Sequence, residues 1–258
     1  MAVIPARLGS SRLPDKPLHL LLGRPLVEWT WRRVSEMDLF DSVVVATDSP
    51  RIVEACRSVG APVVLTDPDH PTGTDRIAEV VGQQPWSGFD LVVNVQGDEP
   101  MVEEAHLEAA VELVRGGGWP LATTATPIRS REELANPDRV KAVRGRDGRA
   151  LYFTRAPAPW RRDGLPTDRE LATGPWLRHL GIYVYRREAL LRWVDLAPSP
   201  LEEIERLEQL RPLESGLAMG IAVVDRAAPG VDTPEDVVRM EGLLAGNLQT
   251  PTSHPRTS

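Results

Sequence analysis

A regular alternation of short β-branched runs with segments of helical spacing is the feature that most constrains the fold of this chain. Within the first 115 residues the pattern predicts strands at 2–5, 42–47, 62–66 and 91–96, and helices at 25–37, 50–59, 74–83 and 103–115. A helix between successive strands is typical of βαβ units, so we expect a mostly parallel, doubly wound sheet. Ligands bind beyond the carboxyl ends of the strands in such sheets, and the residues that follow each strand are therefore the first candidates for a site.

The pattern becomes less regular after the three glycines at 116–118. It predicts strands at 121–128, 140–143, 150–153, 180–185 and 219–224, helices at 187–194 and 201–214, a mobile loop at 161–174, and a last helix that begins near Pro234. In the helix at 201–214 we expect Leu201, Ile204, Leu207 and Leu210 to form a packed stripe. We predict one domain over 1–245, followed by a disordered tail at 246–258 that is rich in Thr, Ser and Pro.

The charge balance argues against nucleic-acid and membrane partners. The 258 residues include 37 acidic and 30 basic side chains, a formal net charge of -7, so the chain has no diffuse positive field for polyanions. Cys56 is the only cysteine, which excludes an internal disulfide and fits a reducing compartment. The start, MAVIPARLGSSR, lacks the pattern of a signal peptide, and no apolar run approaches the ~18 residues of a membrane span. We therefore expect a cytoplasmic protein.

The loop after the first strand, residues 7–17, carries three cations among small residues. Main-chain N–H groups at 9–11 could turn toward phosphate oxygens, while Arg7, Arg12 and Lys16 would neutralise charge. The alternative is a surface loop with solvated bases. The loop lacks the Walker pattern, and no G-x-G-x-x-G follows a strand, which argues against a P-loop NTPase and a dinucleotide-dependent dehydrogenase.

Two carboxylates follow predicted strands. In NVQGDEP at 94–100, Gly97 permits a tight turn and Pro100 restrains the exit, so Asp98 would point into the cleft. Mg²⁺ is commonly held by one or two carboxylates together with substrate phosphates, and Asp98 suits that role. The alternative is that Asp98 or Glu99 caps the helix that begins near 103.

The second carboxylate, Asp232, precedes the last helix. Thr233 is a natural helix cap and Pro234 suits the first helical position, while the helix dipole favours Glu235 and Asp236 just inside the helix. Those four residues have structural explanations, and Asp232 is left without one.

Taken in order, the motifs of this chain resemble the sugar-activating cytidylyltransferases. They are IPAR at 4–7, RLPDKP at 12–17, DHPTGTDR at 69–76, VNVQGDEP at 93–100, LYFTR at 151–155, RHLGIY at 178–183, SPLE at 199–202 and LEQLR at 207–211. The later motifs look like one branch, the 3-deoxy-manno-octulosonate (Kdo) cytidylyltransferase or CMP-Kdo synthetase family. The resemblance runs from about residue 3 to 240.

The resemblance implies an α/β fold: a Rossmann-like nucleotidyltransferase fold, with a mostly parallel mixed sheet flanked by helices and a smaller dimerisation and sugar-binding part in the second half. It implies that CMP passes from CTP to Kdo, with Mg²⁺, for lipopolysaccharide biosynthesis, in a homodimer. The nucleotide-binding part would cover about 1–118 and the sugar-binding and dimerisation part about 119–218, with a return to the main sheet at 219–245.

Carried over by position, the resemblance assigns roles to three sets of residues. The catalytic set is Arg7, Lys16, Asp98 and Asp232, with Asp98 and Asp232 as the metal ligands. The set that binds CTP is Arg7, Ser11, Lys16, His70, Gly73, Thr74, Arg76 and Gln96. The set that binds the sugar is Arg155, His179, Tyr183, Glu208 and Gln209, where Arg155 would meet the Kdo carboxylate.

Two departures and three alternatives accompany this interpretation. Asp15 stands where the family commonly has glycine, and we expect it to face solvent; Thr72 replaces a more usual serine and keeps the hydroxyl. His179 could instead be a packed, hydrogen-bonded histidine. The sugar could be 8-amino-Kdo or another nonulosonic acid. A non-catalytic module that binds nucleotide sugars would be expected to lack Lys16, Asp98 or Asp232, and all three are present.

Overall fold

The computed structural model of the protein describes residues 1–9 and 12–249. Its strands are β1 (Ala2–Ala6), β2 (Leu20–Leu21), β3 (Arg24–Pro25), β4 (Val43–Thr47), β5 (Val63–Leu65), β6 (Leu91–Asn94), β7 (Leu121–Pro127), β8 (Lys141–Arg144), β9 (Ala150–Thr154), β10 (Leu177–Arg186) and β11 (Met219–Val223). Its helices are α1 (Leu26–Ser35), α2 (Pro50–Ser58), α3 (Gly73–Gly82), α4 (Glu104–Arg115), α5 (Arg131–Ala135), α6 (Asp168–Thr173), α7 (Arg187–Val194), α8 (Pro200–Glu205), α9 (Leu210–Glu214) and α10 (Pro234–Gln249). Single 3₁₀ turns lie at Lys16–Leu18 and Trp86–Gly88.

One mixed sheet organises the chain. Its main path runs β11-β7-β10-β6-β1-β4-β5, and β8 extends it by pairing with both β10 and β9. The pairs β6-β1, β1-β4, β4-β5 and β11-β7 are parallel, whereas β10 runs antiparallel to both of its neighbours on the path. The predicted Rossmann-like fold with a mostly parallel central sheet is confirmed.

Helices cover both faces of the sheet, which explains why its strands are almost wholly apolar. All five residues of β4, Val-Val-Val-Ala-Thr, are buried, as expected for a parallel strand packed on both sides. Side chains of α1, α2 and α4 pack on one face, and side chains of α3 and α7 pack on the other. The strands and helices predicted for the first 115 residues are confirmed to within a few residues at their ends.

The second half differs from the prediction in the loop at 161–174 and in the helix at 201–214. The predicted mobile loop at 161–174 contains helix α6, which Thr167 and Glu170 begin with a reciprocal capping box. The predicted helix at 201–214 is two short helices, α8 and α9, because Arg206 ends α8 in the left-handed conformation, with φ 55° and ψ 48°. That break turns Ile204 into solvent, 78% exposed, so it does not belong to the expected packed stripe.

Strand β10 is longer than predicted and contains an irregularity. Its pairing register with β7 shifts between His179 and Tyr183, and Gly181 within the shift has φ 69°. Only glycine adopts this conformation at little cost. The bulge changes the direction of the side chains on either side of it.

The last helix begins at Pro234, as predicted, and continues to Gln249. The predicted tail from residue 246 therefore starts four residues too early, and the rest of it, 250–258, lies outside the described residues. Within the described part of the chain, no helix has both the length and the apolar character needed to cross a bilayer.

Candidate active site

A groove lies beyond the carboxyl ends of β1 and β6. It consists of two adjoining cavities of about 290 and 320 Å³, which share Pro5, Ala6, Arg7 and Gln96. The other residues of the first cavity are Gly9, Arg12, Lys16, Pro17, Leu26, Gly97, Asp98 and Asp232. The other residues of the second are His70, Pro71, Thr72, Gly73, Arg76, Arg206 and Glu208. The topology thus brings the motifs that follow β1, β5 and β6 to one edge of the sheet.

Lys16 lines the first cavity beside both carboxylates. Its Nζ donates to Asp98 Oδ2 and to Asp232 Oδ1, the latter at 3.0 Å, and its side chain is only 17% exposed. Burial lowers the pKa of Lys16, but the charges and hydrogen bonds of Asp98 and Asp232 outweigh it and raise the pKa above its ordinary value. Lys16 is therefore a permanent cation that both carboxylates share. Arg12 adds a second, with Nη2 at 3.2 Å from Asp232 Oδ1.

Main-chain contacts explain why carboxylates so far apart in sequence meet. Val231 N–H donates to the carbonyl of Asp98 at 3.0 Å, which seats the segment that carries Asp232 beside the end of β6. Gly97 allows close packing against β1, since a Cβ at this position would lie 3.0 Å from the carbonyl oxygen of Pro5. Thr233 caps α10 as predicted, and its partner Asp236 accepts the N–H of Asp232 at 3.0 Å.

The alternative that Asp98 or Glu99 caps the next helix is wrong. Helix α4 begins at Glu104 with Glu103 as its cap residue, and neither Asp98 nor Glu99 contributes a capping side chain. Burial, followed by the negative charge of Asp98, raises the pKa of Glu99 to about 8. Of the two carboxyl groups, Asp98 is the one that lines the groove.

The carboxylate oxygens around Lys16 suit a divalent cation that phosphate oxygens would also bind. No group of three or more His, Cys, Asp or Glu side chains that could hold a metal ion occurs among residues 1–9 and 12–249. Asp98 and Asp232 are two carboxylates that converge on one cation, and Mg²⁺ commonly takes one or two carboxylates together with phosphate oxygens. The residues present therefore fit Mg²⁺ bound jointly with a nucleotide.

The N-terminus of α3 forms one wall of the second cavity. Thr72 caps it by accepting from the N–H groups of Thr74 and Asp75. Gly73 packs against Pro5: a Cβ added to Gly73 would lie 3.4 Å from the side chain of Pro5. This close approach leaves the first turn of α3 facing the end of β1.

Two residues predicted to bind CTP are already paired within the protein. Arg76 is almost fully buried, and its guanidinium donates to Asp48 at 2.8 Å and to Thr66. His70 Nε2 lies 2.7 Å from Glu79 Oε2. Both residues line the groove, yet these contacts also give each of them a structural role.

Glu208 reaches the groove from the loop between α8 and α9. Thr74 Oγ1 donates to its Oε1 at 3.1 Å, while its buried Oε2 has no hydrogen-bond partner in the described residues. Burial raises the pKa of this carboxyl group. An unsatisfied acceptor beside a cavity suits a ligand hydroxyl.

The other residues predicted to bind the sugar line neither cavity. His179 packs edge-on against Phe153 and beside Tyr183, and its Nε2 lies 2.8 Å from Thr123 Oγ1. Burial lowers the pKa of His179 to about 3, so the ring is neutral near pH 7. Tyr183 and Gln209 are buried, each 3% exposed. Their sugar roles stay predictions.

Arg155 is committed to main-chain carbonyls. Its guanidinium donates to Glu205 O at 2.8 Å, Pro137 O at 3.1 Å and Arg206 O at 3.4 Å, and its own N–H donates to the Glu205 carboxylate. The predicted contact with the sugar carboxylate also stays a prediction, and this geometry leaves few N–H groups for it.

Three residues near the groove were not in the sets that the resemblance assigned. Arg12 was already a candidate, since it is one of the three cations of the loop at 7–17, and Glu99 adjoins Asp98 in the NVQGDEP motif. Arg206 had none, because a backbone reversal inside a predicted helix cannot be read from helical spacing. Ser11, predicted to bind CTP, lies outside the described residues. Asp15, expected to face solvent, is half-exposed and accepts from Arg51 Nη1 at 2.7 Å.

A Rossmann-like sheet whose carboxyl edge joins a cationic loop to two converging carboxylates defines a nucleotidyltransferase class of site. Comparison with known proteins agrees: the family model described as cytidylyltransferase matches residues 1–221. A 3-deoxy-manno-octulosonate cytidylyltransferase of Gemmatimonas aurantiaca is 50% identical over 239 residues, which are 93% of this chain and 92% of that protein. The same enzyme of Halorhodospira halophila is 51% identical over 239 residues, with 91% and 93% covered.

Solved structures agree as well. A CMP:2-keto-3-deoxy-manno-octonic acid synthetase in complex with CTP superposes with a TM-score of 0.86 at 37% identity, covering 95% of this chain and 98% of that one. A cytidylyltransferase of Leptospira borgpetersenii, with a TM-score of 0.61 at 15% identity, shares the fold; 95% of this chain and 86% of that one are covered. The chain belongs to the cytidylyltransferase family, and within it to the 3-deoxy-manno-octulosonate cytidylyltransferases.

Proposed function

We propose that this protein transfers CMP from CTP to Kdo and releases pyrophosphate. The observation that carries the proposal is the convergence of Lys16, Asp98 and Asp232 at the mouth of a groove that Arg7 and Arg12 also line. The names of relatives that match the chain over nearly its whole length support the choice of substrates.

Two anions must meet in this groove, the triphosphate and the sugar acid. Lys16, Arg7 and Arg12 offset their repulsion, and Gln96, which lines both cavities, borders the nucleotide. His70, Gly73, Thr74 and Arg76 form the wall beside it, as the family motif predicts. The anomeric hydroxyl of Kdo attacks the α-phosphorus: a new O–P bond forms, the bond from the α-phosphorus to the oxygen that bridges the α- and β-phosphates breaks, pyrophosphate leaves with that oxygen, and the hydroxyl proton passes to solvent. Positioning and charge stabilisation supply most of the catalysis in such transfers.

Asp98 and Asp232 would hold Mg²⁺ in this account. Bound there, the ion would neutralise charge on the phosphate oxygens and polarise the attacking hydroxyl. Lys16, which contacts both carboxylates, holds them together before the nucleotide arrives and then binds the triphosphate. No side chain of the groove is assigned as an obligatory base.

The physiological setting is part of the same proposal. Activation of Kdo serves lipopolysaccharide biosynthesis, and a single buried cysteine suits the cytoplasm, where the pathway's nucleotide substrate is made. We further propose a homodimer formed through the second half of the chain. The support is a set of exposed apolar side chains concentrated there: Leu151, Trp160, Leu165, Ile204 and Val223.

Pyrophosphate release with CTP, Kdo and Mg²⁺ tests the function directly. We expect turnover with Kdo that stops when EDTA is added and returns when Mg²⁺ is restored, while the circular dichroism spectrum stays unchanged. A panel with 8-amino-Kdo and other nonulosonic acids, assayed in parallel, tests the sugar. Absence of turnover with every acid sugar would reject the proposal.

A further inference from the structure

The two carboxylates that fit Mg²⁺ already have cations of the protein as partners. The Lys16 ammonium donates to Asp98 Oδ2 and, at 3.0 Å, to Asp232 Oδ1. Arg12 Nη2 lies 3.2 Å from that same oxygen of Asp232. The protein therefore neutralises these carboxylates with its own side chains.

Lys16 is the better held of the two cations. It begins the 3₁₀ turn Lys16–Leu18, in which the next residue, Pro17, is buried. Its side chain is 17% exposed, whereas that of Arg12 is 51% exposed. Solvent and salt screen a partly buried ion pair less than an exposed one, so the contact between Lys16 and Asp98 is the stronger competitor for an incoming cation.

A free divalent cation would meet two obstacles here. It would approach a fixed ammonium of the same sign, and it would have to replace contacts that the carboxylates already make. Two carboxylates are also few ligands for Mg²⁺, which is usually bound through phosphate oxygens as well. A triphosphate removes both obstacles, because its charge attracts Lys16 and its oxygens are further ligands for the cation.

We propose that Lys16 keeps Asp98 and Asp232 from binding a divalent cation until a nucleoside triphosphate binds in the groove. The triphosphate then draws the ammonium toward its own oxygens and leaves the two carboxylates to the cation that accompanies it. The cation site is completed by the nucleotide and does not precede it. This inference rests on the proposed function and deepens it, because it adds the order in which the groove fills.

Binding of Mn²⁺ to the protein without nucleotide tests the inference. Electron paramagnetic resonance detects the free ion, so loss of its signal measures the bound fraction. Without nucleotide, the wild type should bind Mn²⁺ no more tightly than Asp98→Asn does. Lys16→Met removes the ammonium and should bind Mn²⁺ roughly tenfold or more tightly than the wild type. Adding Asp98→Asn to Lys16→Met should abolish that gain.

The same measurement with CTP present, and without Kdo, tests the role of the nucleotide. At equal CTP concentrations the wild type should now retain more Mn²⁺ than Asp98→Asn, although the two proteins were equal without nucleotide. This comparison needs no substitution at Lys16, so it decides the question even if Lys16→Met does not fold. Circular dichroism and thermal melting report on folding.

Two control variants separate the position of the charge from the total charge. Lys16→Arg keeps a cation at this position and should bind Mn²⁺ as weakly as the wild type does. Arg57→Met removes an exposed cation of α2 that lines neither cavity, and it changes the net charge by the same amount as Lys16→Met. It should leave Mn²⁺ binding unchanged.

Several results would overturn the inference. They are nucleotide-free binding of Mn²⁺ by the wild type that Asp98→Asn weakens, a Lys16→Met protein without gain, and a gain that persists when Asp98→Asn is added. A wild type and Asp98→Asn that retain equal Mn²⁺ with CTP would overturn it too. Absence of pyrophosphate release from CTP and Kdo would instead reject the proposed function, whatever the Mn²⁺ measurements give, so the two failures are distinct.

Discussion

At the residue scale, Lys16 and its two carboxylates form an arrangement whose charges depend on one another. One ammonium contacts Asp98 and Asp232, and a second cation, Arg12, contacts the same oxygen of Asp232. Each carboxylate oxygen is therefore already oriented toward the position where a nucleotide would bring its own cation and phosphates. Preorganised charge of this kind needs little rearrangement when substrate binds.

Asp98→Asn should fold normally and lose most of its turnover. The amide keeps the shape of the side chain but removes a charge that Lys16 contacts and that the proposed Mg²⁺ would use, and loss of one such electrostatic contact typically costs on the order of 10² to 10³ in rate. Steady-state pyrophosphate release and thermal melting measure the two effects. Asp38→Asn, an exposed carboxylate after α1, is the matched control and should keep wild-type turnover. Undiminished turnover in Asp98→Asn would remove Asp98 from the mechanism.

The ion pair between Asp15 and Arg51 should affect KM for CTP through its charges. Asp15 directly precedes Lys16, which lines the groove. Arg51 on α2 neutralises the Asp15 carboxylate, with Nη1 2.7 Å from Oδ2. Arg51→Ala should raise KM for CTP about two- to fivefold, the range of an exposed charge interaction. Added salt should shrink this effect.

Adding Asp15→Asn to the Arg51→Ala protein should restore KM for CTP. Asparagine tolerates the positive φ of this position and removes the unpaired charge. Arg57→Ala, an exposed cation farther along α2, is the control. If the second substitution brings no recovery, Arg51 acts through packing rather than through charge.

His179 should make the protein acid-sensitive. Burial lowers the pKa of its ring from 6.5 to about 3, so the unfolded chain takes up a proton before the folded protein does. The free energy of unfolding is therefore retained above pH 6.5 and falls as the pH drops from 6.5 toward 3, by up to about 1.4 kcal/mol per pH unit for this one proton. Urea unfolding between pH 7 and pH 4 should show a smaller slope against pH in His179→Gln. Equal slopes in the two proteins would show that the histidine is not buried in this way.

At the scale of single elements, the bulge in β10 links the sheet to the groove. Gly181 lies in it with φ 69°, and its carbonyl oxygen accepts from Gln96 Nε2 at 3.3 Å. Gln96 lines both cavities, so the irregular part of β10 supports a side chain that lies just after β6.

Gly181→Ala should destabilise the protein by about 1 to 2 kcal/mol, the cost of the left-handed conformation for a residue with a Cβ. A Cβ would meet its nearest neighbour, Gln96 Cγ, at an ordinary 3.7 Å, so the cost comes from the backbone. Urea unfolding measures it. Gly242→Ala, inside α10 with open space around it, is the matched control and should stabilise by about 0.5 to 1 kcal/mol. Equal effects at both glycines would contradict this account.

At the scale of the whole molecule, the exposed apolar side chains of the second half support assembly. Leu151 on β9 and Val223 on β11, both close to half exposed, belong to elements that contact each other. Sedimentation equilibrium should give twice the chain mass of 28.5 kDa. Leu151→Glu should shift the equilibrium toward monomer, because it places a charge in an apolar contact.

Val238→Glu is the control for that experiment. Val238 is 73% exposed on α10 and does not belong to the five exposed apolar side chains proposed for the dimer, so its replacement should leave the measured mass unchanged. A wild-type protein that sediments as a monomer would reject the homodimer.

Much of the candidate site could be predicted because its chemistry follows strand ends. Arg7, Lys16 and Asp98 stand in short motifs beside predictable strands, and Asp232 remained when helix capping had explained its neighbours. The break at Arg206 and the engagement of Arg155 could not be predicted, because both depend on main-chain carbonyls presented by segments about 50 residues apart in the chain.

The order of most strands and helices, and the residues that could carry charge at the strand ends, were predictable because those properties depend on local periodicity and residue type. The contacts of Lys16 with carboxylates 82 and 216 positions away, and those of Arg155 with the backbone of Arg206, became visible in the folded chain alone. Distances between remote segments depend on strand order and on hydrogen bonds that form once the sheet is complete, and no local pattern records them.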